Sequence, residues 1–532
     1  MRDRKRNGSF YTPKIIADFL ADYLSNKLKE RSSISILEPS AGDGVFVKTI
    51  FSHNSLSSKV KKFVAVEKNL QELEKITIDI KKKVFSAIHS DFLEYQKNNV
   101  SKFSLVIGNP PYIRKRLLIE SQVELCKSIH DQANLADIRP INIWTAFLVR
   151  CIKFTNNRGI LALVLPSELL QVKFAGELRS LILKEFERVE IFTFNELLFK
   201  DCKGQDTLIL IGERKSENKG IYYCNINKLT DLSIGKYTLA QNINVKDSKW
   251  THHHLETEEI ELLERLKQRL NTINYYCSSK AGIVTAANDF FIVDAKTVEK
   301  YSLQTFIKPI IQKGVFVNGS VVFTLDEYQE LINKSKPAFL LALDKNSAIR
   351  KNAKIWDYLE IGKERKIDKR YKTSLRNNWF EIPNIGPAPE AFFFKRCNEY
   401  PKLIKNEAGV LSTDSAYIVS MRDNFEIENM IFSFYNSLTL AYSELYGRYY
   451  GGGVLELTPN EFKIVPVPYV NLSENEFKGF TNSFRNKISI KEICRMNDVK
   501  ILRTIDSNID MVTIDKIFAI REKLFLRRVK TN

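Results

Sequence analysis

From residue 8 to about residue 212 the chain alternates short β-branched apolar runs with helical stretches, and no other feature narrows its fold as much. The runs at 34–37, 63–66, 84–88, 105–107, 160–165 and 208–211 are nearly free of charge. That composition suits strands buried on both faces. Behind Thr12-Pro13, which reads as an N-cap and a first helical position, Ile15, Ile16, Phe19, Leu20, Tyr23, Leu24 and Leu28 recur at helical spacing. Strand and helix in repetition predict an α/β fold with a doubly wound, mostly parallel sheet.

The rhythm then stops. From about 213 to 250 that rhythm is lost, with 213–220 polar and charged and 247–254 polar around a single Trp, which predicts a linker, and 255–270 reads as a charged helix. From about 275 to 470 the chain is richer in aromatic residues, in Gly and Pro punctuation and in short strand-like runs, which predicts a separate α+β domain. After Asn471 it turns polar and helical and ends in Arg521, Lys523, Arg527, Arg528 and Lys530. The expected division is 1–245, 246–470 and a helical tail at 471–532.

Over 532 residues, 81 Lys and Arg against 63 Asp and Glu leave a formal charge of +18, which favours a polyanionic partner. With 44% hydrophobic and 27% charged residues, a disordered or fibrous chain is excluded. No run approaches the roughly 20 apolar residues of a membrane helix. No apolar segment follows the basic start, Met1-Arg2-Asp3-Arg4-Lys5-Arg6, so neither membrane insertion nor secretion is expected and the cytoplasm is the expected compartment. The seven cysteines are scattered without a CxxC pair, and His252-His253-His254 cannot share one face of a helix or strand. Neither disulfides nor a bound metal is expected.

The sharpest local signal is Asn109-Pro110-Pro111-Tyr112 at the end of a predicted strand. Two prolines stiffen the turn, since each fixes its own φ and restricts its predecessor. The Asn109 side-chain oxygen and the Pro110 carbonyl could then both accept from one exocyclic amine, drawing its nitrogen out of conjugation with a ring, while Tyr112 stacks on the base. A plain turn with a core tyrosine is the structural alternative. The second signal, Glu38-Pro39-Ser40-Ala41-Gly42-Asp43-Gly44, runs from a strand through small residues into a helix, and Gly42 and Gly44 would let a ligand approach the backbone. Alone it is equally a ligand-free turn. The next strand ends in Glu67, placed to accept two ribose hydroxyls, and Ser90-Asp91-Phe92 follows the third strand where an adenine amino group and ring face could sit.

In this order the motifs resemble those of the gamma-class DNA adenine-N6 methyltransferases of restriction-modification systems. Gly8-Ser9-Phe10-Tyr11-Thr12-Pro13 resembles that family's N-terminal cofactor motif, and Glu38 to Gly44, Glu67, Asp91-Phe92 and Asn109 to Tyr112 follow in sequence. The resemblance implies a Rossmann-like methyltransferase sheet with a C-terminal target-recognition domain, S-adenosyl-L-methionine as cofactor, and double-stranded DNA as partner. It places Tyr11, Thr12, Glu38, Ser40, Gly42 and Gly44 around the methionine part, Glu67 and Lys68 at the ribose, and Asp91 and Phe92 at the adenine. Asn109, Pro110, Pro111 and Tyr112 would hold the target base. A second aromatic against that base would be Phe199, with Phe192 and Phe194 competing.

In the second half, Gly282-Ile283-Val284-Thr285, Trp379-Phe380-Glu381-Ile382-Pro383 and residues 449–466 resemble target-recognition regions of the same family more weakly. Arg370, Lys372, Arg376, Lys395, Arg396 and Arg448 are candidate DNA contacts, or else a solvated charged face. The implied activity is direct methyl transfer to the exocyclic nitrogen of an adenine extruded from the duplex. A restriction endonuclease acting on the same site would be its counterpart, with no physical complex implied. Methylation of cytosine-N4, of RNA adenine or of a protein glutamine, and a catalytically silent DNA-binding module, are the rival readings.

Overall fold

The computed structural model describes residues 11–79, 83–96, 101–196, 198, 206–233, 235–242, 250, 255–317, 319–343, 353–450 and 453–529. The chain divides into two compact units. One is essentially residues 1–257 and the other essentially 258–529.

A nine-stranded sheet forms the first unit. Its strands are β1 (Ile34–Glu38), β2 (Val60–Glu67), β3 (Phe85–His89), β4 (Phe103–Gly108), β5 (Thr155–Pro166), β6 (Arg188–Phe194), β7 (Thr207–Glu213), β8 (Gly220–Ile226) and β9 (Ala240–Asn242). They lie in the order 3-2-1-4-5-7-6-8-9. The pairs from β3 through β5 are parallel, and β7 enters antiparallel between β5 and β6. All six predicted apolar runs fall on strands of this sheet, with Val84 alone lying one residue outside β3. Strand order reverses between β1 and β4, so their carboxyl ends diverge and leave a crevice where such sheets bind ligands.

Helices cover both faces. In α1 (Lys14–Lys27), Ile16, Phe19, Leu20 and Leu24 are buried, as the apolar stripe requires. The helix begins one residue later than expected, with Pro13 at its N-cap and no side-chain capping bond. The remaining long helices of this unit are α2 (Val45–Ser52), α3 (Leu70–Asp79), α4 (Glu120–Gln132), α5 (Trp144–Phe154) and α6 (Gly176–Glu185).

Two expectations need correction. The stretch expected to be a linker carries β8 and β9, which extend the sheet beyond β6. The pattern Gly-Ile-Tyr-Tyr-Cys-Asn-Ile mixes buried and exposed side chains, as a strand near a sheet edge does, and so lacked the all-apolar signature of the central strands. Strand β6 was also missed, because Arg188 and Glu190 interrupt it. Glu190 is fully buried and accepts from Lys27 at 2.8 Å, Arg188 at 2.6 Å and the Tyr23 hydroxyl at 2.9 Å, a set of partners that a sequence does not reveal.

The second unit is α+β. Its largest sheet has five short strands, with Cys277–Ala281, Ala416–Met421, Ala391–Phe394 and Lys402–Asn406 antiparallel in turn and Val322–Phe323 added parallel at one edge. Helices Glu474–Arg485, Ile490–Leu502 and Met511–Arg528 belong to this unit and do not stand apart as a tail. The buried Arg528 guanidinium holds both Glu444 carboxylate oxygens, Nε to Oε2 at 2.9 Å and Nη2 to Oε1 at 2.8 Å.

Asp498, on the middle of these helices, accepts from the Ser437 amide at 2.8 Å and the Ser437 hydroxyl at 2.6 Å. Burial outweighs these bonds and pushes its carboxyl up from 3.8 to about 6. A raised carboxyl stabilises the fold fully below 3.8, and the contribution fades as pH rises through about 6. The total change is roughly 3 kcal/mol. In Asp498→Asn, melting temperature should therefore vary less between pH 4 and 7 than in the wild type, and an unaltered pH profile would contradict the assignment.

Among the described residues no helix is long and apolar enough to cross a membrane, and the six described cysteines are unpaired. His252-His253-His254 and Cys202 lie outside the described residues.

Candidate active site

At the carboxyl ends of β1 to β4 lies a partly open cavity of about 150 Å³. Each of the four strands contributes the residues just beyond its end.

After β1 the chain turns through Ser40 and Gly42 into α2. Gly42 and Gly44 have φ of +53° and +74°, left-handed values that a side chain strains to adopt. A Cβ on Gly44 would also sit 2.7 Å from Ile76. The Tyr11 ring packs over Gly42, 3.5 Å from where its Cβ would be, and lines the cavity.

At the end of β2 the Glu67 carboxylate faces the cavity and fastens two turns. One oxygen accepts the Gly42 amide and the other the Asn69 amide, each at 2.8 Å. Beyond β3, Asp91 accepts from the Leu93 amide at 3.0 Å and from Lys68 Nζ at 2.8 Å, with Gln122 Nε2 at 3.4 Å. Phe92 forms a buried wall, its ring 5.2 Å from that of Phe147.

Beyond β4, Asn109 and Pro111 line the cavity. The Ser40 hydroxyl donates to the Asn109 backbone carbonyl at 3.0 Å, tying the glycine turn to the proline turn. Asn109 Nδ2 donates to Thr12 Oγ1 at 3.2 Å, and the Tyr112 hydroxyl donates to Asn109 Oδ1 at 2.9 Å. Thr12 is thus turned to the amide and does not cap α1.

The cavity therefore brings together Tyr11, Ser40, Gly42, Glu67, Lys68, Asp91, Phe92, Asn109 and Pro111. Thr12, Glu38, Gly44, Pro110 and Tyr112 stand behind its surface. Tyr112 departs most from its expected place. Instead of presenting an open face for stacking, it is buried, with its hydroxyl also 3.0 Å from the Val164 carbonyl, and burial raises its hydroxyl pKa well above the ordinary value. Phe199 lies outside the described residues, while its competitors Phe192 and Phe194 are core residues of β6. Sequence reasoning missed Gln122, Ile143 and Phe147. No local motif marks them, and only the path of the chain after Tyr112 brings them to the cavity.

Glu38 is buried beneath the site, and its Oε2 has no hydrogen-bond partner. Burial first, then the charges of Asp43 and Glu67, hold its carboxyl well above the usual range. An orphaned carboxyl among like charges is matched by a cationic ligand group. Because this carboxyl is raised, the folded protein retains a proton that the unfolded chain releases above about 4.5. Stability then falls as pH rises from that value through the folded one. Glu38→Gln should remove that fall and raise the melting temperature of the ligand-free protein at neutral pH, by about 2–4 °C for each kcal/mol relieved. Thermal scans across pH check this, and a uniform loss of stability at every pH would contradict it.

In the second unit most candidate DNA contacts are already engaged. Arg376 donates to the carbonyls of Thr285 at 2.8 Å and Val284 at 3.4 Å, holding the loop that resembled a recognition motif. Arg448 pairs with Glu461 at 2.7 Å, Arg396 with Glu456 at 3.2 Å and Arg370 with Asp289 at 3.4 Å. Lys395 donates to the Asp414 carbonyl, and Lys372 is exposed. Trp379 packs on Phe290 and Phe291 within the core.

Sheet order and cavity position define the fold of the S-adenosylmethionine-dependent methyltransferases. Residues 27–199 match the Eco57I restriction-modification methylase family, and residues 247–502 match the C-terminal domain of Type II methyltransferase M.Eco57I. Both halves of the chain thus match restriction-modification DNA methyltransferases. It is 24% identical over 491 residues to Type II methyltransferase M.AccI of Acinetobacter calcoaceticus, covering 87% of this chain and 85% of that one. Its fold resembles that of the Type IIL restriction-modification enzyme MmeI, solved in complex with DNA, with a TM-score of 0.61 at 13% identity over 98% of this chain and 79% of that one. It also resembles DrdV, solved as a DNA complex, with a TM-score of 0.52 at 13% identity over 91% and 57%.

Fold and family imply S-adenosylmethionine, and the residues present fit it. The buried Glu38 carboxyl, whose Oε2 has no hydrogen-bond partner, suits a positive charge, the Glu67 and Asp91 carboxylates suit hydroxyl and amino donors, and Phe92 offers an apolar wall.

Proposed function

We propose that this DNA methyltransferase modifies the exocyclic N6 of adenine, with the base extruded from the duplex into the cavity. Carrying the reading is the Asn109–Pro111 turn, which opens on the same cavity as Glu67, Asp91 and Phe92. The bond from Asn109 to Thr12 orients the amide, and its Oδ1 would accept from the incoming amine in exchange for a present donor such as the Tyr112 hydroxyl. With the Pro110 carbonyl as second acceptor, the amine is held with its own lone pair directed into the cavity. When bound, S-adenosylmethionine would supply an electrophilic methyl carbon with a neutral thioether as the leaving group. The amine proton is lost once the nitrogen–carbon bond has formed, so alignment and the polar grip dominate over any strong base. Glu67 and Lys68 would hold the ribose, Asp91 and Phe92 the cofactor adenine, and Phe199 and Tyr112 the target base. For Tyr112 that role requires its hydroxyl to leave Val164.

The two units would divide the work, the first catalysing and the second reading the DNA sequence. A restriction endonuclease acting on the same site would cleave the unmodified sequence.

The test is incubation of the full chain with radiolabelled S-adenosylmethionine and plasmid DNA, followed by digestion to nucleosides. Label in N6-methyldeoxyadenosine is expected. Label in N4-methyldeoxycytidine would move the target to cytosine, label in the protein would favour glutamine methylation, and binding without transfer would indicate a silent module. Single-molecule sequencing of DNA from cells expressing the protein maps the site.

A further inference from the structure

Between the cavity residues Ile113 and Gln122 the chain leaves the surface of the first unit as a ridge. Arg114, Lys115 and Arg116 are consecutive and exposed, and among the described residues none of them forms an ion pair. Leu117 is 45% and Ile119 62% exposed, and the short helical turn Lys115–Leu117 buries no residue. The ridge is nevertheless braced. Ile143 N donates to the Ile113 carbonyl at 2.9 Å, Lys115 N donates to the Ile141 carbonyl at 3.0 Å, and Arg114 bridges antiparallel to Asn142. Ile141, 47% exposed, thereby stands beside the basic run. At the foot of this strap Ile113 and Ile143 line the cavity, so three cations and three exposed apolar side chains sit at its mouth.

Large aliphatic side chains held in water beside unpaired cations suit few partners. A protein partner would have to set carboxylates around an apolar patch to match it, whereas any duplex offers phosphates at its rim and an apolar stack between its bases. Extruding one base opens a gap in that stack at a cost of a few kcal/mol, and an inserted aliphatic side chain repays part of it.

We infer that the Arg114–Arg116 run clamps the phosphates flanking the target adenine while Leu117 and Ile119 fill the stack it vacates. The catalytic unit would thus open the duplex itself, through the segment that follows its amine-gripping turn. This inference rests on the reading that the target is a base drawn out of DNA.

The experiment uses the full chain and two duplexes carrying the mapped site, one with the target adenine opposite thymine and one with it opposite an abasic position. In the Leu117→Ser/Ile119→Ser variant, single-turnover transfer to the paired duplex should fall about 100-fold, the equivalent of unstacking one base. It should return to within about fivefold of wild type on the abasic duplex, where the adenine is already loosened. In Arg114→Ala/Lys115→Ala/Arg116→Ala, the slope of log affinity against log salt should fall by about 3. Equal losses on both duplexes, no loss, or an unchanged salt slope would each overturn the ridge. If the serine variant instead turned a dimer into a monomer with both rates intact, the ridge would be a contact between copies of the chain and the inference would fall. A wild-type protein silent on both duplexes would refute the underlying reading, which separates that failure from failure of the ridge.

Discussion

Asn109→Ala is expected to slow methyl transfer by about 10²- to 10³-fold, the usual effect of removing one preorganised polar contact from a transition state. Two losses combine. The amine loses an acceptor, and the tie from Asn109 Nδ2 to Thr12 disappears, so the Tyr11–Thr12 segment is no longer joined to the proline turn. Because the Glu67 and Asp91 contacts lie elsewhere in the cavity, cofactor affinity should change only a few-fold. Single-turnover rates beside calorimetric titration separate the two effects. Full activity in this variant would remove the amine-grip argument. Asn109→Asp probes the same point differently, since a carboxylate keeps the acceptor but cannot donate to Thr12, and a smaller rate loss than in the alanine variant is expected.

Glu67→Ala should raise the cofactor dissociation constant by about 10²-fold, because hydrogen bonds to a charged group contribute about 1.5–3 kcal/mol each. The carboxylate has a double task. It already holds the Gly42 and Asn69 amides, so its removal frees the glycine turn and deletes the ribose acceptor together. Glu67→Gln keeps one acceptor and should lose less. The transfer rate at saturating cofactor should change little, because the amine grip is untouched. A dissociation constant within twofold of wild type would refute the ribose role.

How much of this was legible in sequence depended on whether a signal is local. The central strands are apolar along nearly their whole length because both faces are covered, and that composition is visible without a structure. Strand β6 carries Arg188 and Glu190, whose burial is tolerable only because Lys27 and Tyr23 arrive from α1, more than 150 residues away in the chain. The glycine turn and Glu67 were recognisable because left-handed backbone and a strand-end carboxylate leave marks in a few consecutive residues. Gln122 and Phe147 left none.

The second half was less legible still. Arg376, Arg396 and Arg448 read as free cations, yet each is tied to backbone carbonyls or a carboxylate of its own unit. A count of positive charges does not reveal which of them are already paired. By contrast, the Arg114–Arg116 run beside the sharpest motif is distinguished only by its exposure and its bracing strand, which are tertiary features.

Sequence alone determined the α/β rhythm, the order of the motifs and the rigid turn at Asn109, since periodicity, proline and glycine act within a few residues. Tertiary structure decided which of those side chains reach the cavity: it buried Tyr112, turned Thr12 toward the amide, left Glu38 Oε2 without a hydrogen-bond partner and raised a basic, aliphatic ridge at the mouth. Those outcomes depend on packing and hydrogen bonds between residues distant in the chain, where the cost of desolvating a polar group is met or left unmet by whatever the fold brings beside it.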